Sequence, residues 1–356
     1  MRSLKFNEAV REATDQAMAL DERVYLIGLG VPDPKGVFGT TSGLLTKHGT
    51  KRVFDMPTSE NAMTGIAIGS AIAGMKPIMT HQRADFMLLA MDQLVNNAAK
   101  WRYMFAEQMT VPLVIRLVIG RGWGQGPQHA QTFHSFFAHI SGIKVLAPSN
   151  PYDAKGLLLS AIDDPDPVVY LEHRWLHNIF GEVPEDNYRV PIGKAKLLQE
   201  GSDITIVASS HMTLEAWRAT QILSTEGIKI DLVDLRSLRP LDDELILNSV
   251  RKTGRLLVLD ADWKTAGLAA EIIALVSEQV LGDLKCAPQR VTYPDSMTPT
   301  SWTLSNFYYP TSKDVAIAAL KMMNRLEKAD LLEKEILEQR LREPMDTPDS
   351  SFTGPF

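Results

Sequence analysis

The chain has 356 residues, of which 45% are hydrophobic and 22% are charged, and its formal net charge is -6. This length is typical of a chain with two domains rather than one small core. The acidic balance and the lack of a Lys/Arg stripe exclude the electrostatic footprint of a nucleic-acid-binding protein, so we expect no nucleic acid as a partner.

Secretion and membrane insertion are not expected either. The first 20 residues alternate charged and apolar side chains at helical spacing and lack the apolar core of a signal peptide. No later stretch reaches the roughly 20 apolar residues needed to cross a bilayer. The lone cysteine, Cys286, allows neither an intrachain disulfide nor a thiolate metal cluster. We therefore expect a cytoplasmic protein without a membrane partner.

The apolar pattern alternates along the chain between helical and strand periods. A helix is predicted over residues 6–20 and a strand over residues 24–28. Further strands are predicted at 111–118, 144–147, 167–172, 204–208, 228–234 and 256–260, with helices among them at 153–162, 214–223 and 242–250. This alternation predicts an α/β protein with two parallel-sheet α/β domains, each sheet covered by helices on both faces.

A segment rich in proline, glycine and charge, without clear periodicity, separates the two alternations at 181–201. We predict domains at 1–185 and 201–323, joined by a linker at 186–200. Residues 324–356 are predicted to form a charged helix followed by an irregular tail. This last segment is either a solvated helix with a frayed end or a strap across a partner subunit.

The first candidate site is a proline-containing loop that leads into a helix of small and apolar residues at 60–74. Such a composition predicts a helix that is buried on most sides, with Glu60 at its entrance. The Glu60 carboxylate either caps the helix N-terminus or is held partly protonated by low-dielectric surroundings, ready for acid–base chemistry. The local sequence favours the cap.

The second candidate site is the glycine-rich stretch 122–131, which can bring its backbone close to a ligand and presents His129 among amide side chains. Histidine is the usual proton-transfer group near neutral pH, although a loop histidine bonded to its neighbours is the alternative. His129, His134 and His139 recur every five residues, which is neither a same-face helical spacing nor a zinc-ligand spacing. We therefore predict no metal cluster.

In this order and spacing, the stretches resemble the β subunit of the decarboxylating component of 2-oxoacid dehydrogenase complexes, of the pyruvate and branched-chain types. The resemblance covers residues 6–322. It is carried by the helix entry at 57–74, Asp-Gln-Leu-Val-Asn at 92–96, Ala-Ala-Lys at 98–100, Gln-His-Ala-Gln at 128–131, Asp-Ala-Lys-Gly-Leu-Leu at 153–158, Arg-Ser-Leu-Arg-Pro-Leu-Asp at 236–242 and Lys-Thr-Gly-Arg at 252–255.

The resemblance implies a transketolase-like pyrimidine-binding domain followed by a transketolase C-terminal domain. It implies an α2β2 heterotetramer with thiamine diphosphate held between an α and a β subunit. Mg²⁺ would be held mainly by the α subunit, because this sequence lacks the Gly-Asp-Gly and Asn-Asn motif that the family carries there. The enzyme would be active only with its α subunit, and a lipoyl-bearing acyltransferase would be a further partner.

The implied reaction is decarboxylation of a 2-oxoacid with acyl transfer to lipoamide. The alternative is a split transketolase-like or acyloin-forming carboligase that transfers a carbon fragment to an aldehyde acceptor. A non-catalytic assembly subunit is a hypothesis of another class. The matching motifs around Glu60 and His129 argue against it.

The resemblance also assigns roles to single residues and reverses the preference at Glu60. By analogy, the Glu60 carboxyl group bonds the ring nitrogen N1′ of the cofactor aminopyrimidine and favours its imino tautomer. Phe86 matches the position that packs on the pyrimidine ring, and Thr58 is implied to contact the cofactor. His129 matches the histidine that faces the reacting centre.

The resemblance further implies a structural potassium site, found in some relatives and formed here by backbone atoms of Leu113, Ala161, Asp164 and Asp166.

Three residues depart from the family pattern where the donor substrate is expected. Thr80 replaces a glutamate that is common in the family, and His81 and Arg83 are polar or basic where relatives are usually apolar. A cation there either favours an anionic or hydroxylated substrate over a branched aliphatic one or contacts the α subunit.

Overall fold

The computed structural model describes residues 2–121 and 124–347. Gly122 and Trp123 of the glycine-rich stretch, and the tail from residue 348 onward, lie outside the described residues. The described strands are β1 (Arg2–Lys5), β2 (Val24–Gly28), β3 (Val53–Phe54), β4 (Lys76–His81), β5 (Val114–Ile119), β6 (Lys144–Leu146), β7 (Val168–His173), β8 (Phe180–Val183), β9 (Lys196–Gln199), β10 (Ile204–Ala208), β11 (Ile230–Asp234), β12 (Ser237–Arg239), β13 (Leu256–Trp263) and β14 (Gln289–Tyr293).

Helices separate most of these strands. They are α1 (Phe6–Leu20), α2 (Leu44–His48), α3 (Glu60–Ile72), α4 (Ala84–Met87), α5 (Ala99–Met104), α6 (His134–His139), α7 (Pro151–Asp163), α8 (Ser210–Thr225), α9 (Asp243–Thr253), α10 (Leu268–Val280), α11 (Trp302–Tyr308), α12 (Ser312–Met322) and α13 (Leu326–Arg342). A short 3₁₀ turn, Leu88–Ala90, and a π-helical segment, Gln93–Ala98, follow α4.

The ends of several helices follow from local chemistry. Asn150 caps α7 by accepting a hydrogen bond from the Asp153 backbone nitrogen at 2.9 Å, and Pro151 stands at the first helical position. Asp242 caps α9, which ends at Gly254 in a left-handed conformation with φ of 73°. These signals explain why α7 begins two residues before its predicted start, and why α9 begins one residue after its predicted start and ends three residues beyond its predicted end.

The first sheet has seven strands in the order β12-β6-β7-β5-β4-β2-β3, and all neighbouring strands are parallel except β12 and β6. Alternate side chains of β2 enter two different cores. Val24 and Leu26 pack with α1 and α7 on one face, whereas Tyr25 and Ile27 pack with α3 on the other. A parallel sheet buried on both faces is what the continuous apolar strand pattern predicts.

The second sheet has five strands in the order β14-β13-β10-β11-β9, with β9 antiparallel to β11. One face is covered by α8 and α12, and the other by α9 and α10. That second face joins the core of the first sheet in one continuous apolar cluster, in which Ile115 and Val169 of the first sheet occur with Val207 and Val258 of the second.

The predicted α/β fold is confirmed, and each of these two sheets also carries one antiparallel strand that was not predicted, while β1 and β8 form a separate antiparallel pair. One of them, β9, lies inside the stretch predicted as a linker at 186–200. Leu197 and Leu198 draw it into the second sheet, because each packs against an apolar cluster on one of its two faces. The domain limits at 185 and 201 themselves stay a prediction.

The segment after residue 323 packs on its own chain as far as it is described. Helix α13 lies against α12 and buries Ala329 and Ile336. The Asn306 side chain then holds the following residues, since its Nδ2 donates to the backbone oxygens of Arg340 and Glu343 at 2.7 Å each. The described part is therefore not a freely solvated helix. Its apolar residues Leu326, Leu331, Leu337 and Leu341 are exposed, and a strap across a partner subunit stays a prediction. No helix in the described ranges is long and apolar enough to cross a membrane.

Candidate active site

The site lies at the edge of the first sheet where its parallel strands end. The loops that follow β2, β4, β5 and β7 surround a cavity of about 660 Å³ at this edge. The carboxyl edge of an open parallel sheet is where α/β proteins bind their ligands. The cavity is lined by Asn7, Lys35, Gly36, Val37, Phe38, Gly39, Gln82, Arg83, Phe86, Gln125, His129, Arg174 and Asn178.

Two of the predicted site residues, Phe86 and His129, meet in this cavity. Their rings are 5.4 Å apart and nearly perpendicular, with an interplanar angle of 89°. Phe86 is carried by α4, and His129 follows a 3₁₀ turn after β5. Gln131 ties the two segments together by donating from Nε2 to Asp85 Oδ1 at 2.7 Å. Burial raises the pKa of Asp85, although the bond from Gln131 opposes that change.

Glu60 is the first residue of α3 and is only 6% exposed. No described residue forms a hydrogen bond or an ion pair with its carboxylate, and the N-cap residue Ser59 makes no side-chain cap bond. The helix dipole favours a negative charge there. Glu60 follows β3 at the same edge of the sheet as Phe86 and His129, but it does not line the 660 Å³ cavity. Thr58 lies two residues earlier, in the loop, and is exposed.

Helix α3 itself differs from the prediction of a helix buried on most sides. Ala62, Ile66, Gly69 and Ala73 are exposed, and their spacing places them on one face of the helix. Ile66 alone is 57% exposed. The prediction was wrong for this face because an apolar composition does not tell whether the same chain covers the helix.

The three residues that depart from the family pattern occupy the end of β4 and the turn after it. Thr80 Oγ1 and His81 Nε2 are buried and have no hydrogen-bond partner in the described part of the chain. Burial lowers the pKa of His81 to about 4, so its ring is neutral at pH 7. Arg83 is also buried, and burial lowers the pKa of its guanidinium to about 10, which leaves it charged.

A second arginine in the cavity, Arg174, was not singled out from the sequence. It directly follows β7, and burial together with the charge of Arg83 lowers its pKa to about 9. A basic residue at the end of a predicted buried strand was the available signal. Arg83 and Arg174, hereafter the cationic pair, both lie over the ring of Phe38, at 5.6 and 4.4 Å from its centroid.

The four backbone positions of the predicted potassium site lie apart from the cavity, near the start of β5 and the end of α7. The Leu113 oxygen accepts a hydrogen bond from the Val168 nitrogen at 2.9 Å, and the Ala161 oxygen accepts one from the Asp164 nitrogen at 3.3 Å. Lys144 Nζ lies 2.6 Å from the Asp164 carboxylate and 3.4 Å from that of Asp166. The potassium ion stays a prediction.

His134 and His139, the other two histidines that recur at a spacing of five residues, have separate surroundings. His139 ends α6 and is exposed, whereas His134 is buried 2.5 Å from Asp260 of β13. Burial alone would lower the pKa of His134, but Asp260 and Asp262 outweigh it and raise the pKa to about 9. Across residues 2–121 and 124–347, no group of three or more His, Cys, Asp or Glu side chains is arranged to hold a metal ion.

Comparison with known proteins gives two matching families. The family described as transketolase, pyrimidine binding domain, matches residues 2–178, and the family described as transketolase, C-terminal domain, matches residues 193–315. A solved structure described as a split gene transketolase, an inactive β4 tetramer, has a similar fold. Its TM-score is 0.73 at 23% identity, and the match covers 90% of this chain and 98% of that chain.

Curated relatives are more similar in sequence. The β subunit of the acetoin:2,6-dichlorophenolindophenol oxidoreductase of Cupriavidus necator is 42% identical, over 90% of this chain and 98% of the relative. The β subunit of the pyruvate dehydrogenase E1 component of Acholeplasma laidlawii is 41% identical, over 88% of this chain and 96% of the relative. The pyruvate dehydrogenase subunit β-2 of Oryza sativa is 39% identical over 91% and 87%.

Proposed function

The chain belongs to the family of thiamine-diphosphate-dependent E1 β subunits with transketolase-type domains, and from this membership we propose that it acts in a heteromeric enzyme that decarboxylates a 2-oxoacid and passes the acyl group to lipoamide. One observation carries the proposal. A buried carboxylate without a partner in the described chain, Glu60, shares the carboxyl edge of the first sheet with Phe86 and His129. A cofactor ring that needs one carboxyl group and one aromatic face would use Glu60 and Phe86.

The chain's own residues would hold and orient the cofactor. Glu60 would hydrogen bond to the pyrimidine N1′, because its carboxylate has no other partner among the described residues. Phe86 would pack on the ring, and Thr58 would contact it. Thiamine diphosphate, when bound, supplies an electron sink for breaking the bond between a carboxylate and a carbonyl carbon. His129 would hold or move a proton on the carbonyl oxygen of the donor, since it lines the cavity beside Phe86.

A second polypeptide would complete the site. The described residues contain no carboxylate or histidine cluster for Mg²⁺, so the α subunit would bring the metal and bind the diphosphate. The exposed apolar face of α3, which includes Ile66, supports such a partner because a face of this kind is normally covered in an assembly. We extend the proposal to an α2β2 heterotetramer with a lipoyl-bearing acyltransferase as a further partner.

A structural potassium ion belongs to the same proposal. It would be held by backbone oxygens around Leu113, Ala161, Asp164 and Asp166. Lys144 already places an ammonium group 2.6 Å from the Asp164 carboxylate. The ion would therefore bind main-chain oxygens rather than these side chains.

The polar wall of the cavity supports a second candidate function. Asn7, Gln82 and Gln125 line the cavity together with the cationic pair. Side chains of this kind suit a hydroxylated fragment better than an aliphatic one. A carboligase that transfers the fragment to an aldehyde acceptor is therefore the alternative reaction.

We also propose that the protein works in the cytoplasm. A cytoplasmic location is supported by the lone cysteine, Cys286, which is free and partly buried. A single cysteine is typical of proteins that work under reducing conditions.

The test is turnover by the complex obtained by purifying this chain together with its α subunit. Decarboxylation of 2-oxoacids would be measured with lipoamide or an artificial electron acceptor, which take up two electrons, and with aldehydes, which form a carbon–carbon bond without oxidation; the acceptor that supports turnover separates the two candidate reactions. Glu60→Gln is expected to lower kcat by at least about 100-fold, in the range found for acid–base groups. Glu335→Gln, an exposed site on α13, is the matched control. Unchanged turnover in Glu60→Gln would exclude the catalytic assignment and favour a non-catalytic assembly subunit.

A further inference from the structure

The cavity at the active site is lined by cationic side chains and by neutral ones. Lys35, Arg83 and Arg174 line it, and none of its described lining residues is acidic. The neutral lining residues beside them include the carboxamides of Gln82 and Gln125. A concave surface with cations and amides is complementary to an oxyanion.

Arg83 shows the imbalance most clearly because it is only 3% exposed. Its hydrogen bonds go to two neutral acceptors, the backbone oxygen of Gly120 at 3.4 Å and Gln125 Oε1, and no described carboxylate forms an ion pair with it. The carboxylate nearest in sequence, Asp85, accepts from Gln131, and its charge opposes the lowering of the Arg83 pKa by burial without forming an ion pair with the guanidinium. A buried guanidinium is most favourable when it is hydrogen bonded to an anion, and no described residue supplies such a bond to Arg83.

The segment that presents Phe38 supports the same conclusion. Phe38 has φ of 50°, a conformation that is strained for a bulky residue, and it lies between Gly36 and Gly39, which also have positive φ. This backbone places one ring beneath both members of the cationic pair. An anion near both guanidinium groups would offset their mutual repulsion, and each group matches the planar geometry of a carboxylate or phosphate.

We propose that the donor substrate carries a second oxyanionic group, a carboxylate or a phosphate, on the part of the molecule remote from the reacting carbonyl, and that the cationic pair binds it. The inference rests on the proposed function, because it assigns the donor to the cavity of Phe86 and His129. Arg83 precedes Phe86 by three residues, and its partner Gln125 precedes His129 by four. The anion therefore binds in the same cavity as the reacting centre.

The experiment compares donors of matched size in the complex with the α subunit. One arm compares 2-oxoglutarate with 2-oxovalerate, and the other compares xylulose 5-phosphate with xylulose, which separates a carboxylate from a phosphate. We expect the anionic member of one pair to have a kcat/KM at least about tenfold higher, equivalent to about 1.4 kcal/mol. Arg83→Met should abolish this preference, Arg83→Lys should keep part of it, and Arg251→Met, on the exposed end of α9, should keep all of it.

Binding gives a measurement that does not depend on turnover. Glutarate and valerate, which cannot be decarboxylated as 2-oxoacids, would be titrated into the complex by calorimetry. At least about tenfold tighter binding of glutarate, lost in Arg83→Met, supports a carboxylate site. If neither the glutarate and valerate pair nor either pair of donors shows a preference for the anion, the inference is overturned. A carboxylate of the α subunit then becomes the partner of Arg83. If glutarate is preferred but no donor is turned over, the proposed function fails instead.

Discussion

The buried ion pair between His134 and Asp260 makes the stability of the protein depend on pH in the alkaline range. His134 begins α6, five residues after His129, and Asp260 lies on β13 in the second sheet. The second oxygen of the Asp260 carboxylate accepts from the Ala269 nitrogen at 2.8 Å, at the start of α10. The pair therefore ties the segment after His129 to the second sheet, and breaking it should weaken the whole chain.

The contribution of this ion pair to the free energy of unfolding follows from the pKa values of His134 in the unfolded and the folded chain. The pKa is 6.5 in the unfolded chain and about 9 in the folded chain, where burial is outweighed by the two carboxylates. A pKa raised by folding stabilises fully below about pH 6.5, and the stabilisation is lost as the pH rises through about 9. The proton on His134 thus contributes about 2–3 kcal/mol at pH 7 and almost nothing above about pH 10.

Urea unfolding at pH 7 and pH 10, followed by tryptophan fluorescence, measures this contribution. The wild type should lose about 2–3 kcal/mol more than His134→Gln between the two pH values, because only the wild type has this proton to lose. His139→Gln is the matched control, since His139 lies on the same helix but is exposed. Equal losses in the wild type and in His134→Gln would refute the assignment of the proton to this pair.

Two further perturbations test other buried parts of the first sheet. Acid should destabilise the protein as the pH falls from about 6.5 to 4. Burial lowers the pKa of His81 and His177 to about 4, whereas the same histidines in the unfolded chain take up protons near pH 6.5. His81→Gln should flatten the pH dependence of the urea midpoint, and an unchanged slope would contradict this. Gly120→Ala should cost more than Gly43→Ala, since both have positive φ but only at Gly120 would a Cβ lie 2.1 Å from His173 Nε2, whereas nothing lies within 4 Å at Gly43. Backbone strain alone costs about 1 kcal/mol, so equal unfolding free energies for the two variants would show that the clash is relieved.

Elements whose signal is local were predicted well. Helix α1 and strands β2 and β10 have the predicted bounds, because one amphipathic period and two fully apolar runs determine them. Strand β4 was not predicted, since it directly follows the apolar α3 and ends in the polar residues Thr80 and His81. Strand β12 was also missed, because its pairing with β6 joins positions about 90 residues apart and leaves no local pattern.

The residues of the candidate site were likewise predicted where their signal is local and missed where it is not. The sequence motifs indicated Phe86 and His129, and the structure brings these two rings together. The local pattern at Glu60 suits both a cap and a buried carboxylate, and the choice depends on which residues surround α3 in space. Arg174 was missed because its relation to Arg83 arises from the neighbouring positions of their strands, β7 and β4, on either side of β5.

The placement of β12 limits how freely the two halves of this chain can be exchanged in evolution. This strand comes from the part of the sequence that builds the second sheet, yet it forms the edge of the first, and one apolar cluster runs between the two sheets. A recombinant could join the first half of one relative to the second half of another. Its β12 would then have to pair with the β6 of a different relative, and the apolar cluster would have to pack with side chains from two different sequences. The two halves should therefore be inherited together, and specificity should change through substitutions in the cavity loops, whose residues contribute less to that packing.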